Sequence, residues 1–112
     1  MCTSQTTPSA DSNRTLAAHG AVNAQTGTSY TISTSDEDGL TTFNNSSSIA
    51  VTLPCPSGTS FTNGWREMLK MTGAGTPTIT TSGCNINGAT TFAIPAAGVW
   101  LVSDGANYWT VQ

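Results

Sequence analysis

The chain has 112 residues, of which 34 are Ser or Thr and only 9 are charged, with a formal net charge of -3. Leu, Ile, Val and Phe together number 18, which is a smaller share than the roughly 20% of ordinary folded chains. Disordered tails usually combine low hydrophobicity with a high net charge. The composition therefore excludes both an ordinary charged enzyme and a charged disordered tail, and it indicates a β-protein rich in Thr, Gly and Asn turns.

The same composition limits the partners. Three Lys or Arg residues in an acidic chain cannot neutralise a row of phosphates, which argues against a nucleic-acid partner. No apolar run approaches the length of a membrane helix, and residues 1–10 lack the apolar segment of a secretion signal. The 26 large apolar residues are few for a lone domain, so we expect association with copies of the chain or docking on a larger body.

The first 27 residues differ from the rest of the chain. They contain only three large apolar residues, Met1, Leu16 and Val22, and no helical or strand periodicity. Such a segment cannot bury itself, and we expect an extended N-terminal arm over residues 1–27 that becomes ordered against a partner. Its expected contact residues are Arg14, Leu16, His19 and Val22.

A β-domain is predicted over residues 28–112, where apolar residues alternate with polar ones between Gly, Pro and Asn turns. The clearest alternation places Ile49, Val51 and Leu53 on one face. About eight short strands are predicted, around residues 30–32, 40–44, 49–54, 65–71, 76–82, 90–95, 99–105 and 107–112, with a turn at 35–39. The predicted fold class is all-β, as a compact antiparallel β-sandwich or barrel-like domain.

Only WREMLKM at residues 65–71 could form a helix instead, because its residues are good helix formers. It is seven residues long and lies between Gly64 and Gly73. The sequence therefore favours a strand, with Trp65, Leu69 and Met71 on one face.

The apolar positions of the predicted strands define a core or a seam between copies. Trp100 alternates out of phase with Val99 and Leu101, so both faces of this strand are apolar, and a second subunit is expected to cover one of them. Trp65 and Trp109 are in register with core residues, which favours packing over an exposed sugar-binding role. The residues assigned to the core or to a trimer seam are Ile49, Val51, Leu53, Trp65, Ile79, Phe92, Trp100, Leu101 and Trp109.

The three cysteines are Cys2, Cys55 and Cys84, and their spacing fits no zinc pattern. Cys55 and Cys84 either form a disulfide or are two separate buried thiols. Because a free Cys behaves as a small core residue, the sequence favours separate thiols.

The sequence predicts no catalytic residue, metal or cofactor. His19 is the only histidine, and no nucleophile or phosphate-binding motif is present. Asp104 could pair with Asp36, Glu37 or Asp38 as a glycosidase-like carboxylate pair, and residues 36–38 could bind Ca²⁺. Acidic residues in such turns more often form the turn, and we favour that interpretation.

Two long stretches carry a family resemblance. They are QTGTSYTISTSDEDGLTTFNNSSSIAVTLPCPSG and GAGTPTITTSGCNINGATTFAIPAAGVWLVSDGANYWTV, and between them they span most of residues 25–112. The order of TFNN, VTLP, GAGT, INGATT and LVSDGANYW resembles a small β-module of tailed-bacteriophage virion proteins. That module occurs in tail fibres and in small capsid decoration (cement) proteins. Cys55, Cys84 and WREMLKM depart from its pattern.

The resemblance implies a homotrimeric, non-enzymatic β-structure on a virus particle. A chain that begins at Met1 with a short arm suits a decoration protein on the outer capsid surface, bound to the major capsid protein of the phage shell and to copies of itself. No nucleic acid, membrane or cofactor is expected. The alternative is a tail-fibre or head-fibre module that binds a host receptor or glycan.

Overall fold

The computed structural model describes residues 21–112, and within them it is all-β, as predicted. This part contains one 3₁₀ turn, at Thr34–Asp36, and no α-helix. The strands are β1 Val22–Gln25, β2 Ser29–Thr31, β3 Leu40–Phe43, β4 Ile49–Thr52, β5 Arg66–Met71, β6 Pro77–Thr80, β7 Thr91–Ala93, β8 Val99–Ser103 and β9 Tyr108–Val111. The segment at 65–71 is a strand rather than a helix, as its bracketing glycines predict.

The strands form two sheets. One sheet has five strands in the order β1-β3-β5-β8-β9, and the other has four in the order β2-β4-β6-β7. From β1 to β6 the chain places successive strands alternately in the two sheets, so it winds as a coil of three turns. The strands β7, β8 and β9 then close the coil with antiparallel pairs.

The predicted antiparallel arrangement is wrong for the first six strands. The pairs β1–β3, β3–β5, β2–β4 and β4–β6 are all parallel. Alternation along one strand reveals which side chains are buried, but it carries no information on the direction of the neighbouring strand. The register partners Val22, Leu40 and Met68 are 18 and 28 residues apart, so no constant sequence period marks the turns.

The corners between the two sheets stack directly on one another. Asn45 Nδ2 donates to Thr26 O at 2.7 Å, and Gly75 N donates to Asn45 O at 2.7 Å. A Cβ at Gly75 would lie 1.8 Å from the backbone oxygen of Ser47. The TFNN and GAGT segments are therefore the places where consecutive turns of the coil touch, and Gly75 permits that contact.

The core lies between the two sheets, where the inward faces of both meet. It includes Ile32, Phe43, Ile49, Val51, Leu53, Phe61, Trp65, Leu69, Ile79, Ile86, Ile94, Val99, Leu101 and Tyr108. Phe61 packs edge-on against Trp65 and Tyr108, with ring centroids 4.7 and 6.2 Å apart. The Tyr108 hydroxyl donates to Pro54 O at 2.5 Å, which satisfies the polar end of a fully buried ring.

Cys55 and Cys84 form a disulfide, so the expectation of two separate thiols is wrong. Their Cα atoms lie 5.7 Å apart although 29 residues separate them in sequence. The coil brings them together because Cys55 follows β4 and Cys84 follows β6, and these two strands are neighbours in the four-stranded sheet. The spacing of the two cysteines in the sequence gives no indication that they lie this close together in the fold.

The first strand changes the boundary of the predicted arm. Val22–Gln25, assigned to the arm, form β1, which pairs in parallel with β3 at the edge of the five-stranded sheet. This strand carries only one large apolar residue and is held by its backbone hydrogen bonds. A strand was therefore not predicted here, because the prediction relied on alternating apolar residues. Residues 1–20 of the predicted arm lie outside the described residues.

Candidate functional site

The outward face of the five-stranded sheet carries a continuous row of apolar side chains. The register partners across the five strands are Val22, Leu40, Met68, Trp100 and Val111. Every one of them points away from the core, because its chain neighbours on the inward face are the more buried residues. We call these five residues the apolar row.

The apolar row is exposed most at its two ends. Val22 is 64% exposed and Val111 is 55% exposed, whereas Leu40, Met68 and Trp100 are half-buried. Beside the row, Val102 on β8 is the register partner of Trp109 on β9, and Trp109 is 48% exposed. Large apolar side chains grouped in this way on a surface mark a contact site more often than scattered ones do.

Two cations on this outward face, Arg66 and Lys70, form interactions within the chain. The Arg66 guanidinium carbon lies 5.4 Å from the Trp100 ring centroid, and Arg66 Nε donates to Asp38 Oδ1 at 3.0 Å. Lys70 Nζ donates to Ala96 O. Arg66 therefore has an anionic partner within the chain, whereas the Lys70 ammonium is bonded to a neutral carbonyl oxygen.

Asp104 supports the exposed indole. Trp109 Nε1 donates to Asp104 Oδ2 at 2.7 Å, and the backbone N–H groups of Ala106 and Asn107 donate to Oδ1. The Trp109 bond, followed by these backbone bonds, lowers the pKa of the Asp104 carboxyl. Asp104 is therefore an ionised group that forms a turn and holds Trp109 against the sheet edge.

The outward face of the four-stranded sheet has a different chemistry. Thr31, Thr52, Thr80 and Thr91 are register partners across its four strands, and all four are exposed. Large apolar side chains are thus concentrated on one outer face of the coil, and small hydroxyl side chains cover the other.

A second candidate site is a polar cluster beneath the 3₁₀ turn. The Tyr30 hydroxyl donates to Asp36 Oδ2 at 2.6 Å, and Asn23 Nδ2 donates to Tyr30 Oη at 2.7 Å. Ser33 N also donates to Asp36 Oδ2. Asn23, Asp36 and Thr41 line a cavity of about 40 Å³, a volume that suits a few water molecules rather than a substrate.

Glu67 lies inside the protein near this cluster. It is fully buried, and Thr41 Oγ1 donates to its Oε1 at 2.8 Å, while Oε2 has no hydrogen-bond partner among the described residues. Burial raises the pKa of Glu67 to about 8, and the nearby Asp36 charge adds to the shift. Glu67 is consequently a protonated, neutral carboxyl at pH 7.

Three of the four carboxylates considered for catalysis or Ca²⁺ binding have structural partners. Asp36 completes a capping box with Ser33, Asp38 pairs with Arg66, and Asp104 forms its own turn. Among residues 21–112, no three His, Cys, Asp or Glu side chains are grouped closely enough to hold a metal ion. Nor does this range contain a helix long and apolar enough to cross a membrane.

Most residues assigned to the core or seam are buried within the chain itself. This group comprises Ile49, Val51, Leu53, Trp65, Ile79 and Leu101. Phe92 is half-buried and packs against the core, and Trp100 lies on the outward face. Trp109 was expected in register with the core and is not, because its neighbour Tyr108 occupies the inward position of β9.

Of the expected arm contacts, only Val22 lies in the described residues, where it begins the apolar row. Arg14, Leu16 and His19 lie outside them. The outward position of Met68 agrees with the predicted phase of residues 65–71, whereas Leu40 as an outward apolar residue and Glu67 as a buried acid were not predicted. The alternation of side chains along a strand could have predicted the position of Glu67, since residues 65, 67, 69 and 71 share one face.

A scan against protein-family models found no match, and searches of curated proteins and of solved structures found no similar protein.

Proposed function

We propose that this chain is a bacteriophage capsid decoration protein that binds the outer shell as a homotrimer. It acts without chemistry, by adding non-covalent contacts at the joints between shell subunits. Its partners are the major capsid protein and two further copies of itself. No nucleic acid, membrane or cofactor takes part.

The observation that carries the proposal is the apolar row, which crosses all five strands from Val22 to Val111. An apolar face of this kind suits protein contact better than it suits a small-molecule site. The polar cluster at Asp36 surrounds a cavity of only about 40 Å³, which favours a binding role over a catalytic one.

The resemblance to phage virion modules supports the same proposal, because residues of the resembling segments form contacts that stabilise this fold. Asn45 and Gly75 join consecutive turns. Ser103 Oγ donates to Phe61 O at 2.9 Å, and Tyr108 fills the core. These residues account for the TFNN, GAGT and LVSDGANYW segments as determinants of the fold.

The direct test is binding to undecorated capsids assembled from the major capsid protein that is encoded with this chain. Sedimented capsids should carry the protein at a saturable, symmetry-related number of copies. Decorated particles should also release their genome at a higher temperature than undecorated ones. Absence of binding at saturating protein would refute the decoration proposal.

The arm is tested in the same assay with a version lacking residues 1–20, which keeps every strand of the described structure. This version should fold and bind capsids weakly, because the arm is proposed to provide shell contacts. Equal affinity of the truncated and full-length proteins would show that the arm contributes nothing to shell binding.

The second candidate function is receptor or glycan binding as a fibre module. The exposed ring of Trp109, held by Asp104, favours it because sugars stack on exposed aromatic faces. Trp109→Ala should then abolish adsorption of particles to host cells while genome-release temperature stays unchanged. The opposite pattern, normal adsorption with reduced capsid binding, would favour decoration.

A further inference from the structure

Glu67 is the one acidic or basic side chain in the core formed by residues 21–112. It extends inward from β5, where its register partner on β8 is the apolar Leu101. One carboxyl oxygen accepts a hydrogen bond from Thr41 Oγ1, and the other has no partner among these residues. A fully buried carboxyl with a single donor is stable only while it is neutral, so its ionisation requires access to water.

The charges around Glu67 oppose its ionisation in the closed protein. Asp36 on the 3₁₀ turn and Tyr30 on β2 are the titratable groups close enough to interact with its charge. Both are acids, and neither supplies a positive charge. The cations Arg66 and Lys70 lie on the outward face of β5, on the other side of the sheet from Glu67. An ionised Glu67 would therefore meet the like charge of Asp36 without a counter-ion.

A small cavity lies between solvent and the hydrogen-bond partner of Glu67. Its volume is about 40 Å³, and its walls include Asn23 of β1, Asp36 and Glu37 at the 3₁₀ turn, and Thr41 of β3. Thr41 thus lines the cavity while its hydroxyl is bonded to Glu67. Separation of β1 from β3 would widen this cavity and bring water to the carboxyl.

Strand β1 is the wall of the cavity that is held most weakly. It is an edge strand, and its inward side chains, Asn23 and Gln25, are polar. Gln25 Nε2 donates to Asn23 Oδ1 at 2.7 Å, and Asn23 Nδ2 donates to Tyr30 Oη at 2.7 Å and to Asp36 Oδ1 at 3.3 Å. Because β1 contributes no large apolar side chain to the core, its local opening should cost less than unfolding of the whole protein.

We propose that Glu67 makes the opening of this edge sensitive to pH: β1 separates from β3, water enters, and Glu67 releases its proton to solvent. Opening therefore becomes easier as the pH rises. The pKa of Glu67 sets the range, since burial raises it from 4.5 to about 8. Between these values the open form has lost a proton that the closed form retains, and above about pH 8 both have lost it. This device does not depend on the proposed function.

The test is native-state hydrogen exchange of the full-length protein from pH 5 to pH 9, expressed as protection factors so that the intrinsic effect of pH on exchange is removed. Leu40 N donates to Ala21 O and Asn44 N donates to Gln25 O, so both amides lose their partners when β1 opens. Their protection factors should fall about tenfold per pH unit up to about pH 8 and then level off.

A reference amide in the other sheet separates local opening from global unfolding. Leu53 N donates to Thr80 O at 3.2 Å, between β4 and β6. Across the whole pH range, the amides of Leu40 and Asn44 should be less protected than that of Leu53, because they exchange without unfolding of the core.

Three variants test the role of the carboxyl. Glu67→Gln keeps the shape of the side chain but does not titrate, so the protection of the Leu40 and Asn44 amides should be independent of pH. Thr41→Val removes the hydrogen bond that lowers the pKa of Glu67, so protection should level off at a higher pH than in wild type. Thr42→Val is its matched control, because Thr42 is the next residue of β3 and lies on the opposite face. It should level off at the wild-type pH.

Two results in wild type would overturn the proposal. Equal protection of the Leu40, Asn44 and Leu53 amides would show that β1 opens only when the whole protein unfolds. Weaker but pH-independent protection of the Leu40 and Asn44 amides would show that the opening does not hydrate Glu67. If Glu67→Gln does not fold, Thr41→Val and Thr42→Val decide the matter, since levelling at the same pH in both would exclude the carboxyl bonded to Thr41 as the group that titrates.

Discussion

Thr41 Oγ1 donates to Glu67 Oε1 at 2.8 Å inside the protein, and the second oxygen of the same carboxyl has no partner among the described residues. A buried acid in this state is favoured only while it is neutral, because ionisation would place an uncompensated charge in the core. The stability of the protein should therefore depend on pH through Glu67.

Glu67 sets the direction of that dependence. Its pKa is about 8 in the fold against an ordinary value of 4.5, so above pH 4.5 the unfolded chain loses a proton that the folded chain retains. The free energy of unfolding should fall by about 1.4 kcal/mol per pH unit from about pH 4.5 to about pH 8 and level off above it. Urea unfolding of wild type and Glu67→Gln at pH 5, 7 and 8.5 measures this. Parallel pH profiles for the two proteins would contradict it.

Gly75 should tolerate no side chain. A Cβ there would lie 1.8 Å from Ser47 O, so Gly75→Ala must separate two stacked corners of the coil. We expect a loss of about 3 kcal/mol or more in the free energy of unfolding. Gly27→Ala is the control, since its Cβ would meet only one atom, at 3.9 Å. Equal stability of the two variants would show that the corners can move apart at little cost.

The disulfide between Cys55 and Cys84 should contribute substantially to stability. It closes a loop across a sequence separation of 29 residues, for which the chain-entropy relation gives about 3.6 kcal/mol. Thermal or urea unfolding of the Cys55→Ser, Cys84→Ser double variant should show a loss of this size. A reducing agent should destabilise wild type equally and leave the double variant unchanged; destabilisation of both would implicate another effect of the reductant.

The two tyrosines should not ionise in the folded protein near pH 10. Burial raises the pKa of both Tyr30 and Tyr108, and the hydrogen bond from Tyr30 to the Asp36 carboxylate raises that of Tyr30 further. Absorbance at 295 nm should therefore stay low until the protein unfolds at alkaline pH. A rise with a midpoint near pH 10, while circular dichroism stays native, would show that at least one hydroxyl is accessible.

The strands could be predicted from the sequence because their signal is local. Ile49, Val51 and Leu53 alternate with polar residues within one strand, and the glycines around residues 65–71 limit that segment to a short extended run. The pairing of strands is a different matter, since β1 meets β3 only after the chain has passed through the other sheet. Strand β1, Val22–Gln25, is held in the sheet by backbone hydrogen bonds. Such bonds do not require apolar side chains, so the apolar pattern of the sequence does not reveal them.

The candidate face was predicted only in part for the same reason. Trp100 was correctly placed out of phase with its neighbours, because Val99 and Leu101 define the inward side of that strand. Trp109 was misplaced because β9 carries two adjacent aromatic residues, and either could face inward. The hydrogen bond from Tyr108 to Pro54 O, between residues 54 positions apart, decides the phase of β9, and nothing nearby in the sequence reports it.

The winding of the chain has a consequence for how fast it folds. Each parallel pair joins residues 18 to 28 positions apart, so loops of that length must close before the pair can form. The antiparallel pairs β6–β7 and β8–β9 are more local, and β8–β9 joins partners as close as Ser103 and Tyr108. We expect refolding in milliseconds to seconds rather than microseconds, with pulsed hydrogen exchange showing protection in β8–β9 before β1. If the strands form in this order, β1 is the last to pair and stays exposed to solvent longest. The apolar row is then complete only when β1 adds Val22 to the edge of the sheet.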